Sequence, residues 1–223
     1  MLTRSQSKLL LEGAKLLGVK LGEGQLSLFA IYLEELARWS RIADLVSQTD
    51  AEVIIRKHIL DALAVSPLIA AEERILDLGS GAGFPGLVLA IVEPSRTVVL
   101  LESRRKRSSF LKEVARKTKT TNVKVYEGRA EALAAERFLK NSFDVVITRA
   151  TWSIKDFLRF ASPFVAPEGM AIAMKGPIVE KELTESAFYL ADLGFHLKKT
   201  YTYILPFGEE RRHALIFTRE CFT

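Results

Sequence analysis

The chain has 223 residues, 48% of them hydrophobic, and 32 basic against 27 acidic side chains give it a net charge of +5, a composition for one substantial core with an appendage and not for a low-complexity or repeat protein. Its single cysteine, Cys221, excludes a disulfide framework and a cysteine-built zinc site, leaves no metal centre to expect, and fits a reducing cytoplasm. No apolar run is long enough for a membrane span, and the start of the chain reads as lacking a signal peptide.

The first third reads as helices. One covers Ser5 to Leu17, and a second follows Gly22, where Leu26, Phe29, Leu33 and Leu36 recur at helical spacing. A third starts at Thr49-Asp-Ala-Glu52, which fits a capping box, and runs through Ile55, Ile59 and Ala62 towards Pro67. On it His58 and Asp61 stand three apart at the flank of the apolar stripe, where they can interact and face one neighbour. Hydrogen bonds that join this region to the rest outweigh direct chemistry as their role. No glycine- or serine-rich linker follows, so residues 1–70 are expected to form a helical cap packed on a main body, 71–223, as one cooperative unit.

At residue 74 the pattern changes. In Arg74-Ile-Leu-Asp-Leu-Gly-Ser-Gly-Ala-Gly-Phe-Pro-Gly86 a buried strand ends in an acid and passes through glycines into a helix with Pro85 in its first turn. Gly79, Gly81 and Gly83 permit conformations a Cβ forbids and let a ligand sit against backbone N–H groups. The same loop also serves as a plain tight turn, but Glu102 follows at the end of the next strand, at the spacing that lets a carboxylate hold a ribose hydroxyl. Together they mark a dinucleotide-type or adenosyl-type site.

Strands at 74–78, 97–101, 123–126, 143–148 and 170–175 alternate with helices at 85–92, 104–117, 130–139, 154–164 and 179–192, which requires a mostly parallel sheet covered on both faces. Strands near 195–205 and 213–218 are joined by a segment too short for a crossover and form an antiparallel hairpin. Between Arg104 and Lys119 eight basic residues stand against one acid. As a helix this stretch puts Phe110, Leu111 and Val114 on one face and Arg105, Lys112, Arg116 and Lys119 near the other, a basic stripe that is either a solvated face or a surface for a polyanion. Ligands should bind beyond the C-terminal strand ends, with Gly79, Glu102, Gly128 to Glu131 and Arg149 around one crevice.

The stretches Arg56-Lys-His-Ile-Leu-Asp61, Asp77-Leu-Gly-Ser-Gly-Ala-Gly-Phe-Pro-Gly86, Lys106-Arg107 with Phe110-Leu111, Arg149-Ala150, Lys175-Gly176 and Arg212-His213 resemble, in order and approximate spacing, the bacterial small-subunit ribosomal RNA guanine-N7 methyltransferase family, also called glucose-inhibited division protein B. The resemblance runs from about Leu26 to Phe217. It implies a Rossmann-like class I S-adenosylmethionine-dependent methyltransferase sheet, methylation of guanine N7 in ribosomal RNA or a ribosomal particle, and cofactor contacts at Gly79, Phe84, Ala130, Glu131 and Arg149. Gly81 and Glu102 join that set from the loop reading. The Arg104 to Arg107 run is more basic than the family pattern.

The residues agree with that chemistry. No cysteine is placed to act as a nucleophile, and Thr148-Arg149-Ala150-Thr151 stands where exocyclic-amine methylases carry an Asn/Asp-Pro-Pro-aromatic loop. Guanine N7 carries a lone pair, so alignment suffices and no residue is assigned as base. Arg105, Lys112, Arg116, Lys175, Arg212 and His213 are candidate RNA contacts, Trp152 stands near the mouth, and a monomer is expected. A noncatalytic RNA-binding or assembly protein and a nicotinamide-dependent oxidoreductase are the alternatives.

Overall fold

A computed structural model describes residues 1–219; Cys221 lies outside them. Three stretches of helix precede the sheet: α1 (Arg4–Leu16), α2 (Glu23–Ala43), and α3 (Ala51–Ile54), which continues through a π-helical turn (Ile55–Ile59) into α4 (Leu60–Ala64). The expected capping box at Thr49 is displaced by one residue. Asp50 is the cap, accepting from Val53 N at 2.9 Å, because a carboxylate one position later meets the same free amide. The third helix is also interrupted, since the π-turn adds a residue to the turn that carries Arg56, Lys57 and His58.

Seven strands form one sheet in the order β3-β2-β1-β4-β5-β7-β6: β1 (Arg74–Leu78), β2 (Thr97–Glu102), β3 (Val123–Glu127), β4 (Phe143–Thr148), β5 (Val165–Lys175), β6 (Phe195–Ile204) and β7 (Arg211–Arg219). The first five run parallel, and β7 lies antiparallel between β5 and β6. Between strands lie α5 (Gly86–Val92), α6 (Arg105–Thr118), α7 (Ala130–Leu133), α8 (Ile154–Ala161) and α9 (Glu180–Asp192). The helix expected over 130–139 shrinks to one turn and a separate 3-10 turn at Arg137–Leu139, because only Ala130 and Leu139 there are buried. α8 stops at Ala161, two residues before Pro163. β5 begins five residues earlier than expected, with its register shifted against β4 between Phe143 and Val145.

Alternation along the strands sorts the core into two layers. Ile75, Val98, Leu100, Val145 and Ile147 face the cap, α5 and α6, whereas Leu76, Val99, Leu101 and Val146 face α8 and α9. The cap therefore shares an apolar layer with the sheet. Polar contacts reinforce the join: Arg96, 4% exposed, donates to Ser66 O, Ile69 O and Ala70 O at 3.0, 2.5 and 3.1 Å. Glu35 of α2, also buried, takes Lys117 of α6 and Arg38 as ion-pair partners.

If the cap is part of one cooperative unit, its unfolding must coincide with that of the body. Trp39 lies in α2 and Trp152 in the body, and they are the chain's 2 tryptophans. Single-tryptophan variants W39F and W152F should give the same urea midpoint, and Arg96→Ala should lower stability by about 3 kcal/mol at both probes, because carbonyls at the join lose their donor. Two separated transitions would divide the chain at residue 70.

Candidate active site

The chain leaves β1 through Gly79, Gly81 and Gly83 at φ of 70°, 56° and 95°, a region open to glycine and strained for other residues. Four amides of this loop are spent inside the protein. Gly79 N and Ser80 N donate to Leu101 O at 2.9 and 3.1 Å, Gly83 N to Ser80 O at 2.7 Å, and Gly81 N to Glu102 Oε2 at 2.9 Å. The expectation of N–H groups aimed at a ligand is corrected here, because the end of β2 lies alongside and supplies the acceptors. A pyrophosphate needs such amides free, and these four are not. Close approach remains: a Cβ on Gly79 would lie 3.2 Å from Trp152 Cη2 and 3.5 Å from Ala150 Cβ.

Two buried carboxylates hold the loop. Asp77 Oδ2 accepts from Gly86 N at 2.9 Å while its Oδ1 has no partner, and burial pushes its pKa up to about 7. Glu102 accepts from Arg104 N at 2.7 Å as well as from Gly81. From the cap, Tyr32 donates to Ala82 O at 2.5 Å and packs its ring 5.5 Å from that of Phe84. The helical region thus touches the loop directly, a contact that hydrophobic spacing could not reveal because Tyr32 reads as one more apolar position of α2.

Two clefts open beside the loop. The first, about 240 Å³, is lined by Gly79, Leu101, Ser103, Gly128 to Glu131, Trp152 and Phe160. The Trp152 and Phe160 rings meet edge to face at 5.3 Å and give the cleft one aromatic wall, while Ser103, Arg129 and Glu131 make the rest of its lining polar. The second, about 340 Å³, is lined by Lys57, His58, Asp61, Arg149 to Thr151, Met174 to Gly176 and Arg212. The expected single crevice is therefore divided, with Gly79 and Ala150 between the halves: Ala130 and Glu131 stand in the first, and Arg149 in the second.

Arg149 Nη1 lies 3.3 Å from Asp61 Oδ2, and Tyr203 donates to Asp61 Oδ1 at 2.7 Å. The Arg149 guanidinium sits 4.9 Å over the Phe84 ring, and the His58 ring stacks on Phe84 at 5.2 Å. Asp61 accordingly joins cap to body as expected. His58 does not pair with it; its buried Nδ1 has no partner, and burial, with Arg149, Lys57 and Arg212 nearby, lowers its pKa to about 4.

The candidate RNA contacts separate by environment. Arg105, Lys112 and Arg116 are exposed on α6, Arg116 pairing with Glu113 at 2.9 Å. In the same run Arg107 donates to Asp44 O at 2.7 Å, and Lys117 is drawn to Glu35. Lys175 is held by Trp152 O and Glu182 at 2.6 and 2.8 Å. His213 is buried, its ring nitrogens 2.9 Å from Thr202 Oγ1 and 3.3 Å from Pro177 O. Of the three residues expected at this mouth, Arg212 alone extends into the second cleft without such enclosure. Among the described residues no cluster of three or more His, Cys, Asp or Glu could hold a metal.

A family model described as GidB, rRNA small subunit methyltransferase G, matches residues 25–210. The chain is 35% identical to the ribosomal RNA small subunit methyltransferase G of Geobacter sulfurreducens over 92% of its own length and 94% of that protein's. It is 36% identical to the protein of that name from Syntrophus aciditrophicus, over 95% and 89%. Among solved structures it is similar to an S-adenosylmethionine-dependent methyltransferase from Aquifex aeolicus (TM-score 0.58, 16% identity, 82% of this chain and 98% of that one). It is also similar to TYW2 of M. jannaschii in complex with AdoMet (TM-score 0.57, 17% identity, 73% and 74%).

Gly79→Val should abolish calorimetric binding of S-adenosylmethionine in a chain that still folds, since its side chain enters the space against Trp152; wild-type affinity would remove the loop from the site. His58 gives a pH signature. Above its unfolded pKa near 6.5 the ring is neutral in both states; as pH falls from there through about 4, the unfolded chain takes up a proton that the folded one refuses. His58→Gln should therefore spare the protein up to about 3 kcal/mol of acid destabilisation across that window, measured by urea unfolding at stepped pH.

Proposed function

The chain belongs to the rRNA small subunit methyltransferase G family, and from that membership we propose that it methylates N7 of a guanine in small-subunit ribosomal RNA with S-adenosylmethionine as donor. The observation that supports the reading most is the cleft walled by Trp152 and Phe160 against a loop four of whose amides, those of Gly79, Ser80, Gly81 and Gly83, are already taken. Those four amides are not available to a phosphate, which leaves room for an uncharged or cationic guest. Bound there, S-adenosylmethionine supplies an electrophilic sulfonium methyl group.

Gly79, Ala130 and Glu131 wall the donor, and Glu102, buried and bonded to two amides, fixes the loop from beneath, with lone pairs left for the ribose hydroxyl expected at that strand end. Gly81 and Phe84 shape the loop, and Arg149 stands across the Gly79–Ala150 wall, where it orients donor or acceptor. Neutral guanine offers N7 as an acceptor on its Hoogsteen edge, so no side chain has to withdraw a proton. The side chains agree: His58 stays neutral at physiological pH, and the His213 ring is enclosed by its own partners. Alignment is then the protein's main contribution, on the order of 7–11 kcal/mol in well-ordered cases.

Arg105, Lys112 and Arg116 with Arg212 form the face offered to RNA, while Lys175 and His213 support the mouth from within. The partner is ribosomal RNA or a small-subunit particle, met by a monomer in the bacterial cytoplasm. No helix among the described residues is long and apolar enough to cross a membrane.

Incubation with labelled donor and small-subunit particles or protein-free RNA, followed by nucleoside mass spectrometry, should yield 7-methylguanosine. RNA binding without turnover would favour an assembly factor, and methyl on an exocyclic amine or ribose would refute the N7 assignment. Single-turnover rates on saturated complex should show no enzyme ionisation between about pH 6 and 8.5, where an obligatory base would impose one. A loss above ~100-fold in RNA-saturated His58→Gln or His213→Gln would establish such a base.

A further inference from the structure

The second cleft has a charge pattern that donor binding, Arg149 apart, does not use. Four cations line it, Lys57, Arg149, Lys175 and Arg212, against one acid, Asp61. Three of them have partners: Arg149 has Asp61, Lys175 has Glu182, and Arg212 has Glu210 at 2.5 Å. Lys57 is exposed and makes no ion pair with any described residue. It is held at the rim by the π-turn, because Ile54 and Ile55 before it and Ile59 and Leu60 after it are all buried. The extra residue of a π-turn lets both apolar pairs stay in the core while Lys57 and His58 between them are delivered to the cleft.

We propose that this cleft receives the target guanosine, swung out of its RNA stack, with the phosphates flanking it held by Lys57 of the cap and Arg212 of the hairpin. The inference rests on the methyltransferase reading and adds to it a place for the acceptor. An enzyme acting on a base takes it out of the stack, and the base must then lie next to the methyl donor. The second cleft adjoins the first: Ala150 lines the one and Gly79 the other, and a Cβ on Gly79 would lie 3.5 Å from Ala150 Cβ. Its wall is flat where the His58 ring lies on Phe84, and an imidazole that stays neutral adds no competing charge. Lys57 supplies uncompensated positive charge at the rim. The salt bridge of Arg212 is to an exposed carboxylate that solvent already screens, and exchanging it for an RNA phosphate costs little.

The test uses the full chain, small-subunit particles and rRNA, and the variants Lys57→Gln, Arg212→Gln and the double variant, with Lys8→Gln on α1 as a remote control. For the double variant the expected result is an RNA KM raised by roughly tenfold or more, with S-adenosylmethionine affinity by calorimetry within about twofold of wild type. The slope of log RNA affinity against log salt should fall by about 1.5, two phosphate contacts at ~0.7–0.9 each. Lys57→Gln alone, a change at an exposed side chain that leaves the fold intact, should give half of that slope change. An active wild type beside variants of unchanged KM and slope overturns the proposal, as does a loss confined to donor affinity. A wild type that transfers no methyl to small-subunit rRNA defeats the functional reading itself, which is a separate and recognisable failure.

Discussion

The arrangement depends on two carboxylates that end neighbouring parallel strands and spend themselves on backbone amides. Asp77 at the end of β1 takes Gly86 N, and Glu102 at the end of β2 takes Gly81 N and Arg104 N. Without these acceptors the turn from β1 into α5 would carry buried, unpaired N–H groups, each costing about 1–3 kcal/mol. With them the glycines are free to present bare backbone to the first cleft. There is no slack at the far end of the turn either, since a Cβ on Gly86 would lie 2.7 Å from Asp77 Oδ2 and 2.5 Å from Leu100 Cδ2. The loop is a rigid wall, and both clefts are measured from it.

The helical cap belongs to this device. Tyr32 reaches the loop at Ala82 O, Asp61 reaches β4 through Arg149 and the terminal hairpin through Tyr203, and Arg107 of α6 returns to Asp44 at the end of α2. These are polar contacts at the C-terminal edge of the sheet, on top of the apolar layer that the cap shares with α5 and α6. One side of the second cleft is cap and the other is sheet. A displacement of the cap would therefore open the second cleft while leaving the first, which is built from the body alone, largely as it is.

Much of this was legible in the residues. The strand and helix alternation from residue 74, the antiparallel end and the outward face of α6 follow from periodicity of 2 and 3.6, which burial enforces. The family followed from motifs at fixed intervals. Legibility failed where tertiary contacts overrule local pattern: the π-turn at Ile55–Ile59, the one-turn helix at Ala130, and the early start of β5 each depend on what packs against them. Charge was read least well. Lys175, Lys117 and Arg107 look alike in sequence to Lys112, yet the first three are occupied by Glu182, Glu35 and Asp44 O. Lys57, which the Arg56–Asp61 motif contains but gives no role, is the one left facing the second cleft unpaired among the described residues. Whether a cation is free depends on acids and carbonyls 7 to 82 positions away, which no local window contains.

Arg149 shows how the two clefts are kept electrostatically distinct. It acts on both sides of the loop, opposing the upward shift of Asp77 and deepening the downward shift of His58. Burial is the larger cause in both cases: it lowers the His58 pKa to about 4 in the second cleft and raises that of Asp77 behind the loop to about 7. Since the folded-state pKa of Asp77 lies above its unfolded value, folding favours its protonated form, and that contribution declines as pH rises from about 4 through about 7. Removing the Arg149 charge would raise Asp77 further and let His58 titrate closer to neutrality, so one substitution would shift the charge on both sides together. Burial sets both shifts and Arg149 tunes them, on both sides of the loop, although its guanidinium lines the second cleft only.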